Sequence, residues 1–124
     1  PQDTAMINAY AARLIMSGLM QEYAFYFVDL NRETLREMGS VQELLALLAQ
    51  QQSILRDLAA YAAERGVAQR PQMLRQASQR LLLQMYALIA NHLFGATGFY
   101  QVMTQDDPMI SSAEQYLQEN YHTL

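Results

Sequence analysis

LMQEYAFYFVDLNRETLREM, residues 19–38, is the stretch that decides the fold class. Its centre, YAFYFV at residues 23–28, is an unbroken apolar run that alone fits a buried strand. The flanks point to a helix instead. Leu19, Tyr23, Tyr26, Phe27, Leu30 and Leu35 recur at spacings of three and four, while Glu22, Asp29, Glu33 and Arg36 take the opposite side. The aromatic set Tyr23, Phe25, Tyr26 and Phe27 covers more than one helical face. That predicts either a central helix buried all round or a helix with one face turned to a partner.

Outward from this segment the apolar period stays helical, and glycine or proline punctuates the boundaries. DTAMINAYAARLIMS, residues 3–17, places Met6, Ile7, Tyr10 and Leu14 on one stripe, and Ser17-Gly18 is expected to kink or break it. Gly39 stands where a helix end calls for a left-handed residue. Ser40-Val41-Gln42-Glu43 reads as a capping box, with Ser40 accepting from the Glu43 amide and the Glu43 side chain reaching back. It opens VQELLALLAQ. SILRDLAAYAAER then runs into Gly66, with Arg65 suited to the negative end of the helix dipole. The longest helix is predicted over residues 72–94, with Leu74, Ala77, Leu81, Met85, Leu88, Ile89 and His92 on its stripe. Gly95 and Gly98 are expected to turn the chain so that Phe99 and Tyr100 fold back onto the bundle. Asp107 as N-cap and Pro108 at the first helical position then start a last helix. The expected fold is all-α: a compact bundle of five or six helices in one domain over residues 1–124, with one long helix near the C-terminal half.

Composition narrows the chemistry. The chain has 124 residues with 52% hydrophobic and 16% charged, the latter against roughly 25% for an average soluble domain. Either a partner or the rest of a longer protein covers some surface, or the abundant glutamine solvates it. The net charge is −4 and the eight arginines are spread from Arg13 to Arg80, so no basic stripe argues for nucleic acid. There is no cysteine, which excludes disulfides, thiol catalysis and zinc-thiolate sites. No apolar run approaches the roughly 20 residues of a membrane span. Lysine is absent, which removes Schiff-base chemistry and any Ser-Lys dyad within the chain. The first residue is Pro1, consistent with an excised or processed segment.

The residues that carry chemistry elsewhere lack the company they need here. Glu119 and His122 form one E-x-x-H pair, whereas di-iron bundles use two with further carboxylates. Asp106 and Asp107 lack EF-hand spacing, and capping accounts for one of them. His92 sits late on an apolar helix, where packing is the plain reading and a general base the sharper one. The serines at 17, 40, 53, 78, 111 and 112 lie in no nucleophile motif. Neither a catalytic nor a metal site is expected, nor a cofactor. The residues singled out, Tyr23, Phe25, Phe27, Phe99, Tyr100, Asp107 and Pro108, are structural or interface positions. A small-molecule pocket among Tyr23, Phe27, Met85 and Phe99 is a weaker reading, because nothing polar converges there.

Four stretches in order carry a resemblance. SGLMQEYAFYFVDLNRETL (17–35), ILRDLAAYAAERGV (54–67), LLLQMYALIANHLFG (81–95) and GFYQVMTQDDPMISSAEQYL (98–117) together resemble the C-terminal helical region of carboxyl-terminal processing, or tail-specific, serine peptidases. Tyr86 departs from the family's usual lysine, and Asn91-His92 stands where Arg-Asn or Arg-Asp is common. The resemblance implies a non-catalytic accessory domain, with the serine and lysine of the parent protein in a separate core beside a PDZ domain. The implied partners are those catalytic and PDZ domains or a second copy in a homodimer, without nucleic acid or a membrane span. The implied location is the periplasm or cell envelope. A free-standing helical interaction module is the alternative.

Overall fold

The computed structural model describes residues 6–104. Over these residues the chain forms seven helices, α1 (Ala9–Met16), α2 (Leu19–Leu30), α3 (Arg32–Arg36), α4 (Val41–Ala49), α5 (Ile54–Ala63), α6 (Pro71–Gln76) and α7 (Ser78–Met103), and no strand. The residues 23–28 that alone fit a strand are helical. Helices α2 and α7 pack along each other and form the centre, with α4 and α5 against α7 and α1 against α2. Leu14, Met20, Leu44, Leu48, Leu58, Leu81, Met85, Tyr86, Ile89 and Val102 are fully buried between them. The expected last helix from Asp107-Pro108 lies outside the described residues, as do Asp106, Glu119, His122, Ser111 and Ser112.

Side chains cap two helix starts, those of α1 and α4. Asn8 caps α1, its Oδ1 accepting the Ala11 amide at 2.9 Å while its Nδ2 donates to the Met73 carbonyl at 2.9 Å. The helix therefore starts after Met6 and Ile7, which the sequence places on its stripe but which precede the helix and are exposed. Gly18, at φ 83°, breaks α1 from α2. The predicted helix over residues 19–38 is divided at Asn31, whose backbone N–H and Nδ2 both donate to the Phe27 carbonyl, at 3.0 and 2.9 Å. An asparagine side chain that bonds its own preceding turn competes with helix continuation.

Gly39 corrects an expectation. It is not left-handed; among the described residues positive φ occurs only at Gly18, Gly66 and Gly95. Gly39 belongs to the start of α4, not the end of α3, because its N–H donates to Glu43 Oε1 at 2.8 Å. The Glu43 amide donates to Ser40 Oγ at 3.1 Å. The capping box is thus present in a shifted form, the carboxylate taking the amide before the N-cap. Ser40→Ala should cost about 1 kcal/mol in chemical denaturation; no change would mean that the Glu43–Gly39 bond alone fixes the start of α4.

Helix α5 ends as its glycine demands. Gly66 N–H donates to the Ala63 carbonyl at 3.2 Å and Val67 N–H to the Ala62 carbonyl at 3.0 Å, with Gly66 at φ 97°. This is a Schellman closure, sealed by the buried Val67. The long helix predicted from residue 72 is in fact two. Ala77 leaves helical geometry at φ −108°, ψ 13°, and α6 tilts away to meet α1, where the Asn8 amide holds the Met73 carbonyl.

At the other end of α7, Gly95 has φ 74°, ψ −166°. These are not helical angles, so α7 is two helices joined across a sharp kink at Gly95, the second running to Met103. A Cβ built on Gly98 would lie 3.0 Å from the Ala90 carbonyl oxygen, although eight residues of straight helix separate their ends by about 12 Å. The expected turn therefore rests on Gly95 alone, and Gly98 serves close packing inside the helical stretch that follows.

Candidate interaction surface

The predicted aromatic positions divide between core and surface. Tyr23 and Phe27 are buried on the inner side of α2 with Leu19, Met20 and Ala24. Phe25 points the other way and is 63% exposed, and Leu30 and Tyr26 are exposed as well. Helix α2 is therefore not buried all round, because Phe25, Tyr26 and Leu30 on its outer face stay exposed to solvent. The Phe25 ring lies against the His92 ring of α7 at a centroid separation of 5.8 Å. His92 is exposed, beyond the buried stripe of Leu81, Met85 and Ile89. Phe99 packs partly against the core, and Tyr100 stands edge-on to it at 5.8 Å, 65% exposed. Of the two aromatics expected to fold back, only Phe99 does. Asp107 and Pro108 lie outside the described residues. Tyr23, Phe27 and Met85, which the weaker pocket reading places around a cavity, are packed core.

A second group was not singled out from sequence. The Tyr23 ring contacts Tyr61 of α5 at 5.3 Å, and Tyr26 contacts Tyr61 at 5.8 Å. The Arg65 guanidinium lies 3.6 Å over the Tyr61 ring, donates to the Tyr61 carbonyl at 3.2 Å and sits 3.5 Å from Glu22 Oε1. Glu22 Oε1 also accepts from the Tyr61 hydroxyl at 3.1 Å. This cluster ties the end of α5 to α2. Burial pushes the Tyr23 hydroxyl up to about 12, with Asp57 and Tyr26 adding to it. The residues lie 39 positions apart between Glu22 and Tyr61, so no local pattern brings them together.

Arginines gather at the corner where α5 turns into α6. A cleft of about 190 Å³ is lined by Tyr10, Arg13, Val67, Arg70 and Met73, with Arg13 reaching toward the Gly66 carbonyl at 3.4 Å. Across the same loop, a groove of about 370 Å³ has Leu55, Ala59, Pro71 and Leu74 as apolar walls, with Arg56 and Arg75 beside them. Among the described residues Arg56 meets one carboxylate, Asp57 at 3.7 Å, and Arg13, Arg70 and Arg75 meet none. The linear spread of the arginines concealed this convergence, which the α5–α6 turn creates.

Among the described residues no three histidine, aspartate or glutamate side chains gather as metal ligands, and no helix is long and apolar enough to cross a membrane. Residues 10–95, more than half of the chain, match DUF8443, a family of unknown function. The chain belongs to this family. No curated protein and no solved structure matches it. The DUF8443 match spans α1 through the Gly95 bend, so the aromatic cluster, the Phe25–His92 pair and the arginine corner all fall within it.

Proposed function

We propose that this chain is a non-catalytic helical accessory domain that seats on a larger partner through the outer face of α2. In the finer reading the partner is the catalytic and PDZ assembly of a carboxyl-terminal processing serine peptidase of the cell envelope, the domain packing on that core or pairing two copies. The observation that carries the reading is Phe25. A large ring at 63% exposure, flanked by exposed Leu30 and lying on His92, is held outward on a helix whose other face is fully packed. Aromatic side chains placed in this way are the usual anchors of protein interfaces. The ordered resemblance of residues 17–117 to the accessory region of tail-specific peptidases supports the finer reading.

The coding frame upstream of Pro1 tests that finer reading. A long upstream domain carrying a serine and a lysine in a protease-like core is expected; a start codon immediately before Pro1 would overturn it and leave a free-standing interaction module. The surface itself is tested by Phe25→Asp in the full protein. Stability should change by no more than about 0.5 kcal/mol, as for other exposed positions, while association with the core or second copy weakens at least about tenfold, or 1.4 kcal/mol. Unchanged association in analytical ultracentrifugation would remove α2 from the interface.

A further inference from the structure

We infer that the groove between α5 and α6 is the docking site of the chain's own acidic C-terminal segment, residues 106–119. This stands apart from the accessory-domain reading and rests on charge, apolar character and reach.

Between Arg65 and Gln105 the sequence contains no aspartate or glutamate. Residues 105–124 contain Asp106, Asp107, Glu114 and Glu119, and no arginine. The groove offers the complement. Arg56 and Arg75 flank it, no carboxylate lines it, and Arg70 and Arg13 extend the positive field around the loop. The walls Leu55, Ala59, Pro71 and Leu74 suit apolar side chains, and the segment supplies Met109, Ile110, Tyr116 and Leu117 between its carboxylates. The exposed apolar residues of α2 are a poorer destination, because Glu22, Asp29 and Glu33 stand on or beside that face and repel an acidic chain.

Reach is sufficient. Ser78, at the start of α7, lines the groove, and the described chain ends at Thr104. Straight helix between them would span about 39 Å, and the bend at Gly95 shortens it. Fifteen further residues, extended rather than helical, reach about 50 Å, so at least the distal end of the segment, toward Glu119, can enter the groove of its own chain.

The absence of cysteine allows a single label. A nitroxide on Ser112→Cys in the full isotope-labelled chain should broaden the amide resonances of residues 55–59 and 69–78 at least about fivefold more than those of α2. The broadening should disappear in Arg56→Glu/Arg75→Glu. It should also disappear when Asp106, Asp107, Glu114 and Glu119 are changed to Asn or Gln, a variant that leaves the groove untouched. Broadening that is absent, that falls on α2, or that survives both sets of changes overturns the inference. So does broadening seen only when spin-labelled protein is mixed with isotope-labelled protein lacking the nitroxide, since the segment would then occupy a second copy.

Discussion

Gly98→Ala is expected to lower stability by about 1–3 kcal/mol, although Gly98 lies in a helical stretch where alanine is ordinarily the better residue. The added Cβ would lie 2.8 Å from Phe94 Cβ and 3.0 Å from the Ala90 carbonyl oxygen. Neither atom is the free end of a flexible side chain, so backbone must move. Gly95→Ala should cost a similar amount, about 1–3 kcal/mol, for a different reason. No atom crowds a Cβ there, but φ 74° with ψ −166° is a conformation that only glycine adopts without strain. Because the Gly95 bend creates the close approach at Gly98, the two effects should couple. Relaxing the bend relieves the clash, and the double variant is expected to lose less than the sum of the single losses. Urea unfolding of the three variants measures this. Full additivity would show that Gly98 is crowded independently of the bend, and a stabilising Gly98→Ala would show that the close approach is absent.

The second large effect is alkaline. Burial raises the Tyr23 and Tyr86 hydroxyls from an ordinary value near 10 to about 12 each. Between those values the folded chain keeps protons that the unfolded chain has released. Stability is therefore fully present below about pH 10 and falls as pH rises toward 12. Each tyrosine should remove about 2 kcal/mol by pH 12, about 4 kcal/mol together, a large part of the roughly 5–15 kcal/mol by which a domain is stable. Tyr10, also raised by burial, acts in the same direction. Circular dichroism with denaturant at several alkaline pH values measures the loss. Tyr86→Phe should flatten the slope by about half, because the Tyr86 hydroxyl makes only a long 3.5 Å contact to the Leu48 carbonyl and its removal leaves little unpaired. A slope unchanged in Tyr86→Phe would mean that this hydroxyl ionises freely in the folded state.

Both effects bear on what is legible in sequence. Gly95 could be read as a breaker, since a glycine after a long apolar run is a stop signal on local grounds alone. The role of Gly98 could not, because it depends on Ala90, eight residues back, and only the bend brings them together. Tyr23 could be placed on the inner stripe of α2 by period. That Phe25 would be exposed could not be derived from a segment apolar on several faces, since period does not tell how many neighbours the fold supplies. Gly39 misled because a glycine after a helix and a glycine before an N-cap look alike in sequence, and the Glu43 carboxylate settles which it is. Asn31 and Ala77 divide helices that periodicity joined. The Asn31 side chain is a local competitor that sequence could have flagged. Ala77 carries no breaker chemistry, and the division there follows from α6 meeting α1.

By itself the sequence determined the all-helical class, the Ser40 cap on the Glu43 amide, the breaks at Gly18, Gly66 and Gly95, and the Leu81, Met85 and Ile89 part of the inner stripe of α7. Each is set by hydrogen bonds or backbone preferences acting within a few residues. Only the tertiary structure decided which aromatics stay outside, how Glu22, Tyr61 and Arg65 join, and that arginines scattered from Arg13 to Arg75 converge around one loop. Those arrangements depend on which helix faces meet, and that is fixed by the simultaneous burial of apolar stripes far apart along the chain.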